Sequence, residues 1–546
     1  MTDVNPPPPA GGHEAVAGQP GDPPAAPPPA PPPGGGGTSG GDLTDELIET
    51  SAWSDEQLTG AGIPVVDVPL VSIGGGLGSF ILADYLRIAG MPGSELRALG
   101  QADRPWDTYN YLASVSQIPE PERLRSDSGS TPDNIWGFPS YAVREAFSAR
   151  NLSSFVAPLF QVLTEPILTD YYTPKAGQVY TTLAREADRI GWWQMVDKGQ
   201  VRMARKRVGG GYFTILTPPA GSTATKRVAF RSRWVHTAVG YPGVRFLPDL
   251  QEYREKHQDF SRVVNAYEPH EHVYQELRKR PGTVVVRGSG IVGSRILQRL
   301  IDDRDHHGAQ TTIIHLFRNY VDEPQGDSVF MRRPGADGFA YQGFNFPKAA
   351  WGGQLKERLE KSDEQARKQL IAQMGGTNTP KRKLWQQQLK RARQQGYYHA
   401  HVGQVQQVYP GPDNTVVTRI QTDHGVLELD ANFIIDATGL EADIAEHRVL
   451  GDLLQHGGAQ RNAVGRLDVE PTFEIRGTRS GEGRMYASGS STLGGYYAGV
   501  DSFLGLQYAA LQILNDLATQ GFVRKIRPLR SIGQWWKWAL NRKVAP

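Results

Sequence analysis

One pattern constrains this chain more than any other: an apolar strand that runs into a glycine-rich turn and then a helix, written twice. The first copy spans Val68–Ser79 and reads Gly74-x-Gly76-x-x-Ser79, with Gly78 inside it. The second spans Thr283–Gly293 and reads Gly288-x-Gly290-x-x-Gly293. Helix-like runs follow, Phe80 to Ala89 and Ser294 to Leu300. The first glycine permits the tight turn and the second lets backbone approach a pyrophosphate. The third lets the helix pack on its strand, leaving the first-turn N–H groups aimed at the phosphates. Ser79 departs from the third glycine but is small enough for that contact. Two cradles predict two dinucleotides, and two dinucleotides that meet predict electron transfer between them.

Length and charge narrow the class. The 546 residues allow two or more domains. A net charge of +2 gives no reason to expect a nucleic-acid partner. No apolar run is long enough to cross a bilayer, and prolines interrupt the N-terminus from Pro6 onward, unlike a signal peptide. A cytoplasmic protein is expected. The absence of cysteine excludes disulfides, cysteine-zinc sites and a thiol nucleophile.

Residues 1–45 are expected to be a disordered arm. The first 42 residues hold 13 of the 39 prolines, and the glycine and alanine around them bury almost nothing. An acidic stretch, Asp42 to Glu49, leads to a folded region expected from near Ile63. An internal repeat follows. Each cradle is succeeded by period-two strands and then by a closing strand that ends in a small-residue turn. In the first copy the strands are Gln200–Val208 and Tyr212–Leu216, closed by Ser232–Gly240. In the second they are His401–Tyr409, Asn414–Gln421 and Gly425–Leu429, closed by Ala431–Gly439.

This order of motifs resembles the two-dinucleotide-binding-domain flavoproteins, a superfamily that includes flavin-containing monooxygenases, N-hydroxylating monooxygenases and thioredoxin reductases. The resemblance runs over residues 64–522. It implies an α/β fold of two Rossmann-like domains with β-meanders. An NAD(P)H domain (281–430) would be inserted in a discontinuous FAD domain (64–280 and 431–522). The superfamily marks each return to the sheet with an Ala-Thr-Gly turn, present here as Ala437-Thr-Gly439 and more weakly as Thr237-Ala-Val-Gly240. It closes the FAD domain on a strand ending Gly-Asp. Here Gly489 is followed by Ser490, so a serine stands where an aspartate meets the flavin's ribityl chain. Without cysteines, the disulfide-reducing branch is excluded.

By the same resemblance the first cradle holds FAD. An acidic residue past the second strand often binds the adenosine ribose. That strand is expected at Glu95–Gly100, with Gln101 or Asp103 in the ribose position. In the second copy the matching strand, Thr311–Phe317, ends at Arg318. A cation there suits a 2′-phosphate, so NADPH is expected in preference to NADH, with Arg332 and Arg333 as further positive charge.

The flavin would carry the redox chemistry, and the sequence shows no convincing triad or metal-ligand spacing. The pairs His306-His307 and His399-x-His401 read as surface residues. Asn265 and His270, just before the second cradle, are the candidates for groups facing the flavin. The Baeyer–Villiger signature is missing. An insertion at 322–398 joins an aromatic part, Phe339–Phe346 with Trp351, to charged helix-favouring runs, 354–373 and 380–395. Its aromatic part is a candidate lining for a small-molecule pocket. The tail, 523–546, mixes basic residues with Trp535, Trp536 and Trp538. Peripheral membrane contact and docking on the protein's own surface both suit it. The leading expectation is an FAD enzyme reduced by NADPH that oxygenates a small molecule. An NAD(P)H oxidase or dehydrogenase, or a non-catalytic flavoprotein-like module, are the alternatives.

Overall fold

The computed structural model describes residues 41–123, 139–149, 151–164, 168, 172–219, 226–241, 243–323, 335–340, 352–374, 383–440 and 443–544. The proline-rich arm, Arg332, Arg333, Trp351 and most of Phe339–Phe346 lie outside them.

The first cradle strand, Leu70–Ile73, is buried along its whole length, as a central strand of a covered parallel sheet must be. Its sheet has five parallel strands in the order Arg484–Ala487, Trp234–Thr237, Leu70–Ile73, Leu96–Gly100 and Val196–Lys198. Successive side chains go to opposite faces. Leu70 packs among the helices Leu77–Ile88, Ala176–Ile190 and Phe503–Thr519, whereas Val71 and Ile73 meet Val201, Tyr212 and Phe230 of a second sheet. That second sheet is a meander, Gln200–Arg207, Tyr212–Thr217 and Val228–Ser232, with Ala52–Trp53 and Val65–Asp67 added at its edges.

The second domain repeats the plan. Its parallel sheet runs Val263–Asn265, Phe433–Asp436, Gly282–Arg287, Thr311–Phe317 and Tyr398–Val402. Its meander is Gln404–Pro410, Val416–Thr422 and Gly425–Ala431. In both sheets the cradle strand lies between its closing strand and the strand that follows the cradle helix.

Three boundaries differ from the sequence reading. Val263–Asn265 and Phe433–Asp436, expected with the first domain, pair in the second sheet, and the chain rejoins the first sheet at Arg484–Ala487. The expected strand at 401–409 is split at Gly403, its start joining the parallel sheet and its remainder the meander. Ordered structure begins well before Ile63. Helices Asp45–Glu49 and Asp55–Gly60 are capped by Thr44 and Ser54, and they bring Leu47, Trp53 and Leu58 into a core with Phe213 and Ile215. Of the acidic stretch Asp42 to Glu49, Asp45 and Glu46 are first-turn residues of the first helix, where carboxylates offset the helix dipole, and Asp42 pairs with Arg227.

The insertion reaches both domains. Helices Gln354–Lys361 and Glu364–Met374 bury Leu355, Leu359 and Leu370 in the first domain's helical core. Helix Lys383–Gln394 buries Trp385 and Leu389 in the second domain, where Gln388 donates to Asp302 at 2.6 Å on the cradle helix. Phe339 packs in the same second core, against Trp385. Trp53 is fully buried and its indole donates to Leu47 O at 2.8 Å. Trp53→Ala is expected to cost about 3–5 kcal/mol, measured by urea unfolding. A loss below 1 kcal/mol would show that residues 41–62 are not part of the cooperative fold.

Candidate functional site

Each cradle is shaped by one close approach. Gly74 has φ +117°, and a Cβ there would lie 2.3 Å from the carbonyl oxygen of Ala238 on the closing strand. Gly288 has φ +124°, and its Cβ would lie 2.3 Å from the carbonyl oxygen of Ala437. No side chain fits either place, so strand end and closing turn meet backbone to backbone. The helices that follow start at Gly76 and Gly290 with no side-chain cap and no acidic residue in the first turn. Helices Ala176–Ile190 and Pro528–Ala539 also start without a cap or an acid, but they follow Lys175 and Arg527 and not a glycine turn pressed on a closing strand. The two cradle helices are thus left with free N–H groups and an unopposed positive dipole, the arrangement that receives a pyrophosphate.

Ser79 and Gly293 mark the difference between the copies. Gly293 packs on Gly288, where its Cβ would lie 2.2 Å from the carbonyl oxygen. Ser79 is fully buried and shares a 2.8 Å hydrogen bond with the Ser72 hydroxyl, so it faces the sheet beneath the cradle. The Ser72 hydroxyl also lies 2.8 Å from Nδ1 of His236, whose Nε2 lies 2.9 Å from the Ser488 hydroxyl. This chain of buried polar groups ties the cradle strand to the closing strand and the last strand. Burial holds His236 neutral, pushing it down to about 3.

The second cradle uses another buried histidine. His315, on the strand after the cradle helix, donates through Nε2–H to Gly288 O at 2.9 Å and accepts the Tyr398 hydroxyl on Nδ1 at 2.8 Å. The carbonyl fixes the tautomer, and burial lowers the ring to about 3. Neither histidine was picked out from sequence, because a lone His inside an apolar strand carries no spacing signal.

The expected cofactor residues lie at the carboxyl ends of parallel strands, the side on which doubly wound sheets bind ligands. In the first domain these are Gly74, Gly76 and Gly78, Gln101 and Asp103, Gly240, and Gly489 with Ser490. Gln101 is exposed, whereas Asp103 pairs with Lys198, which holds its carboxyl below the usual range. The Ser490 hydroxyl donates to Gly240 O at 2.9 Å and locks the two loops together. In the second domain Gly288, Gly290 and Gly293, Arg318 and Gly439 occupy the matching places. Arg318 is exposed at its strand end, and among the described residues no carboxylate pairs with it. Asp436 shapes the Gly439 turn by accepting from Thr438 N at 3.0 Å and from Leu247 N at 2.9 Å.

The two domains meet beside these strand ends. Arg295 and Arg299 of the second cradle helix reach Glu122 at 2.5 Å and Gln117 at 2.8 Å. Tyr241 donates to Asp501 at 2.6 Å, and burial together with the Asp501 charge raises Tyr267 to about 12. Asn265 and His270 flank this junction but face inward. Asn265 donates to Arg245 O and accepts from Tyr267 N, both at 3.0 Å. His270 donates through Nδ1–H to Glu268 O at 2.7 Å, and its Nε2 lies 3.0 Å from the Tyr274 hydroxyl. Both side chains are buried. Among the described residues no helix is long and apolar enough to cross a membrane.

No protein-family model matches the sequence, and no curated protein is significantly similar to it. Solved structures do match. An ornithine hydroxylase from Pseudomonas aeruginosa superposes with a TM-score of 0.56 at 15% identity, covering 83% of this chain and 99% of its own. A cadaverine monooxygenase from Erwinia amylovora, solved with FAD, gives 0.59 at 12%, covering 85% and 96%. An ornithine N-hydroxylase from Kutzneria, solved with reduced FAD, NADP+ and L-ornithine, gives 0.56 at 14%, covering 84% and 100%. The fold is that of the two-dinucleotide-binding-domain flavoproteins.

Burial of His236 has a thermodynamic consequence. Between its ordinary value of 6.5 and about 3, the unfolded chain binds a proton that the folded chain refuses. Stability is therefore full above the unfolded value and falls as pH drops through that window. His236→Gln is expected to flatten the fall by about one proton, read from urea midpoints at a series of pH values. An unchanged slope would contradict a neutral, buried ring.

Proposed function

We propose that this chain is an FAD-dependent oxidoreductase that uses NADPH, and that it works as a monooxygenase on a small molecule in the cytoplasm. The observation that carries the reading is the pair of uncapped, acid-free helix N-termini, each behind a glycine pressed on its closing strand. FAD, when bound, supplies the chemistry by accepting hydride from NADPH and passing the electron pair to dioxygen. The chain supplies the rest. The first cradle receives the FAD pyrophosphate on the N–H groups after Gly76, and Gln101 faces the adenosine ribose because Asp103 is already paired with Lys198. Gly240, Gly489 and Ser490 frame the approach to the flavin.

The second cradle holds the NADPH pyrophosphate, and Arg318 takes the 2′-phosphate. The insertion helices, anchored in both cores, tie the two domains to each other. Asn265 and His270, with their polar atoms engaged, position the Tyr267–Glu268 turn at the junction between domains. The FAD, NADP+ and L-ornithine named for neighbouring structures support the cofactor pair and a small-molecule substrate. Arg318→Glu is expected to lower kcat/KM for NADPH at least about tenfold, the loss of roughly 1.4 kcal/mol, with little change for NADH. Equal effects on both would remove Arg318 from cofactor choice. Peroxide released per NADPH consumed distinguishes the monooxygenase from an oxidase, which would approach one to one.

A peripheral membrane contact is the second part of this reading, favoured by how the C-terminal helix, Pro528–Ala539, divides its face. Trp538 is buried, with Arg144 and Arg185 stacked 4.5 and 5.0 Å from its ring. Leu529, Ile532, Trp536 and Leu540, spaced along one face, stay exposed. Helix Leu152–Thr164 likewise exposes Leu152, Val156, Phe160 and Leu163. Apolar stripes beside the basic residues Arg524, Lys525, Arg527, Lys537, Arg542 and Lys543 suit an anionic bilayer surface. Leu529→Asp with Trp536→Asp is expected to abolish co-sedimentation with anionic vesicles. Unchanged sedimentation would end this part of the reading and leave the redox part standing.

A further inference from the structure

Away from both cradles, the first meander, the N-terminal segment and the stretch after the second closing strand border an open cleft of about 780 Å³. Four arginines line it: Arg202 at the start of one meander strand, Arg227 before another, Arg448 opening a helix, and Arg461. Their counter-charges do not match. Arg227 pairs with Asp42, and Arg461 lies 2.5 Å from Asp443. Asp452, the carboxylate in the wall, is taken by the buried Arg205. Among the described residues Arg202 and Arg448 have no ion pair, and the half-buried Arg202 keeps its Nε buried without a hydrogen-bond partner. Burial depresses Arg202 below its ordinary value, and the charges that add to this are two further cations, Arg448 and Arg227. Arg448 and Arg461 reach solvent, whereas the half-buried Arg202, with a buried donor unmet and cations beside it, is costly to leave without a negative partner.

We propose that this cleft is a binding site for an organic phosphate. A phosphoryl dianion cancels the two charges that the protein leaves uncompensated, and guanidinium forks match its oxygens two at a time. Beside the arginines, Leu43, Met203 and Leu454 form an apolar wall for the organic part of the ligand. No glycine of either cradle lines the cleft, nor do Gln101, Ser490 or Arg318. The site is therefore additional to the dinucleotide positions and independent of the redox reading.

The test is calorimetric titration of the full chain, as purified, with phenyl phosphate and with inorganic phosphate at constant ionic strength. Saturable binding is expected, with phenyl phosphate tighter by about fivefold or more for its ring on the apolar wall. Arg202→Gln and Arg448→Gln should each weaken phenyl phosphate about tenfold or more. Without phosphate, Arg202→Gln should leave Tm unchanged or raised, because it removes a repelling charge. It should also abolish the rise in Tm that phenyl phosphate gives the parent chain. Absence of saturable binding, or equal binding by parent and both variants, overturns the proposal. Loss of bound flavin together with phosphate binding in these variants also overturns it, by assigning the arginines to dinucleotide binding.

Discussion

Everything at the candidate site depends on one backbone contact made twice: the turn at Gly74 against Ala238, and the turn at Gly288 against Ala437. With 2.3 Å between an imagined Cβ and a carbonyl oxygen, no substitution at either glycine leaves the cradle in place. The contact fixes where the central strand ends, and so where the next helix begins and which way its N–H groups point. It also fixes the closing strand, whose own small-residue turn must pass alongside. From this contact follows the position of the second strand's end, where Gln101 and Arg318 stand.

Beneath each cradle the sheet carries a polar support that is costly to bury and specific in what it holds. His236 links three strands through Ser72 and Ser488, and His315 grips the carbonyl of the cradle glycine itself. Both rings are neutral and fully enclosed. A satisfied buried network of this kind has one good geometry, so it sets the spacing of strand ends more tightly than apolar packing alone. The insertion works at a larger scale. With Leu355 and Leu359 in one core and Trp385 in the other, its helices couple two sheets that the chain visits at separate times.

The parts of this architecture that repeat at short range were legible in the sequence. The glycine spacing, the apolar strands before it and the Ala-Thr-Gly turn each encode a local geometry, and the structure has the strand, turn and helix at those residues. What was not legible depends on partners distant in sequence. Val263–Asn265 carries no local sign of the sheet it joins, because three apolar and polar residues suit either edge. Ser79 reads as a small stand-in for the third cradle glycine, and nothing local shows that its hydroxyl accepts from Ser72 beneath the cradle. The tail's tryptophans allowed two uses. The helix buries Trp538 and exposes Trp536, a division that follows from helical rotation once the docking face is known. The arginine cleft was invisible for the same reason, since its four cations come from stretches between Arg202 and Arg461.

The central claim is that two dinucleotides sit in the two cradles close enough to exchange electrons. Its most direct test is an anaerobic absorbance titration of the purified chain with NADPH. The account predicts a protein that carries flavin, with bands near roughly 370 and 450 nm that bleach as NADPH is added. A chain that holds no flavin and takes up none, or a bound flavin that NADPH leaves oxidised, would contradict it.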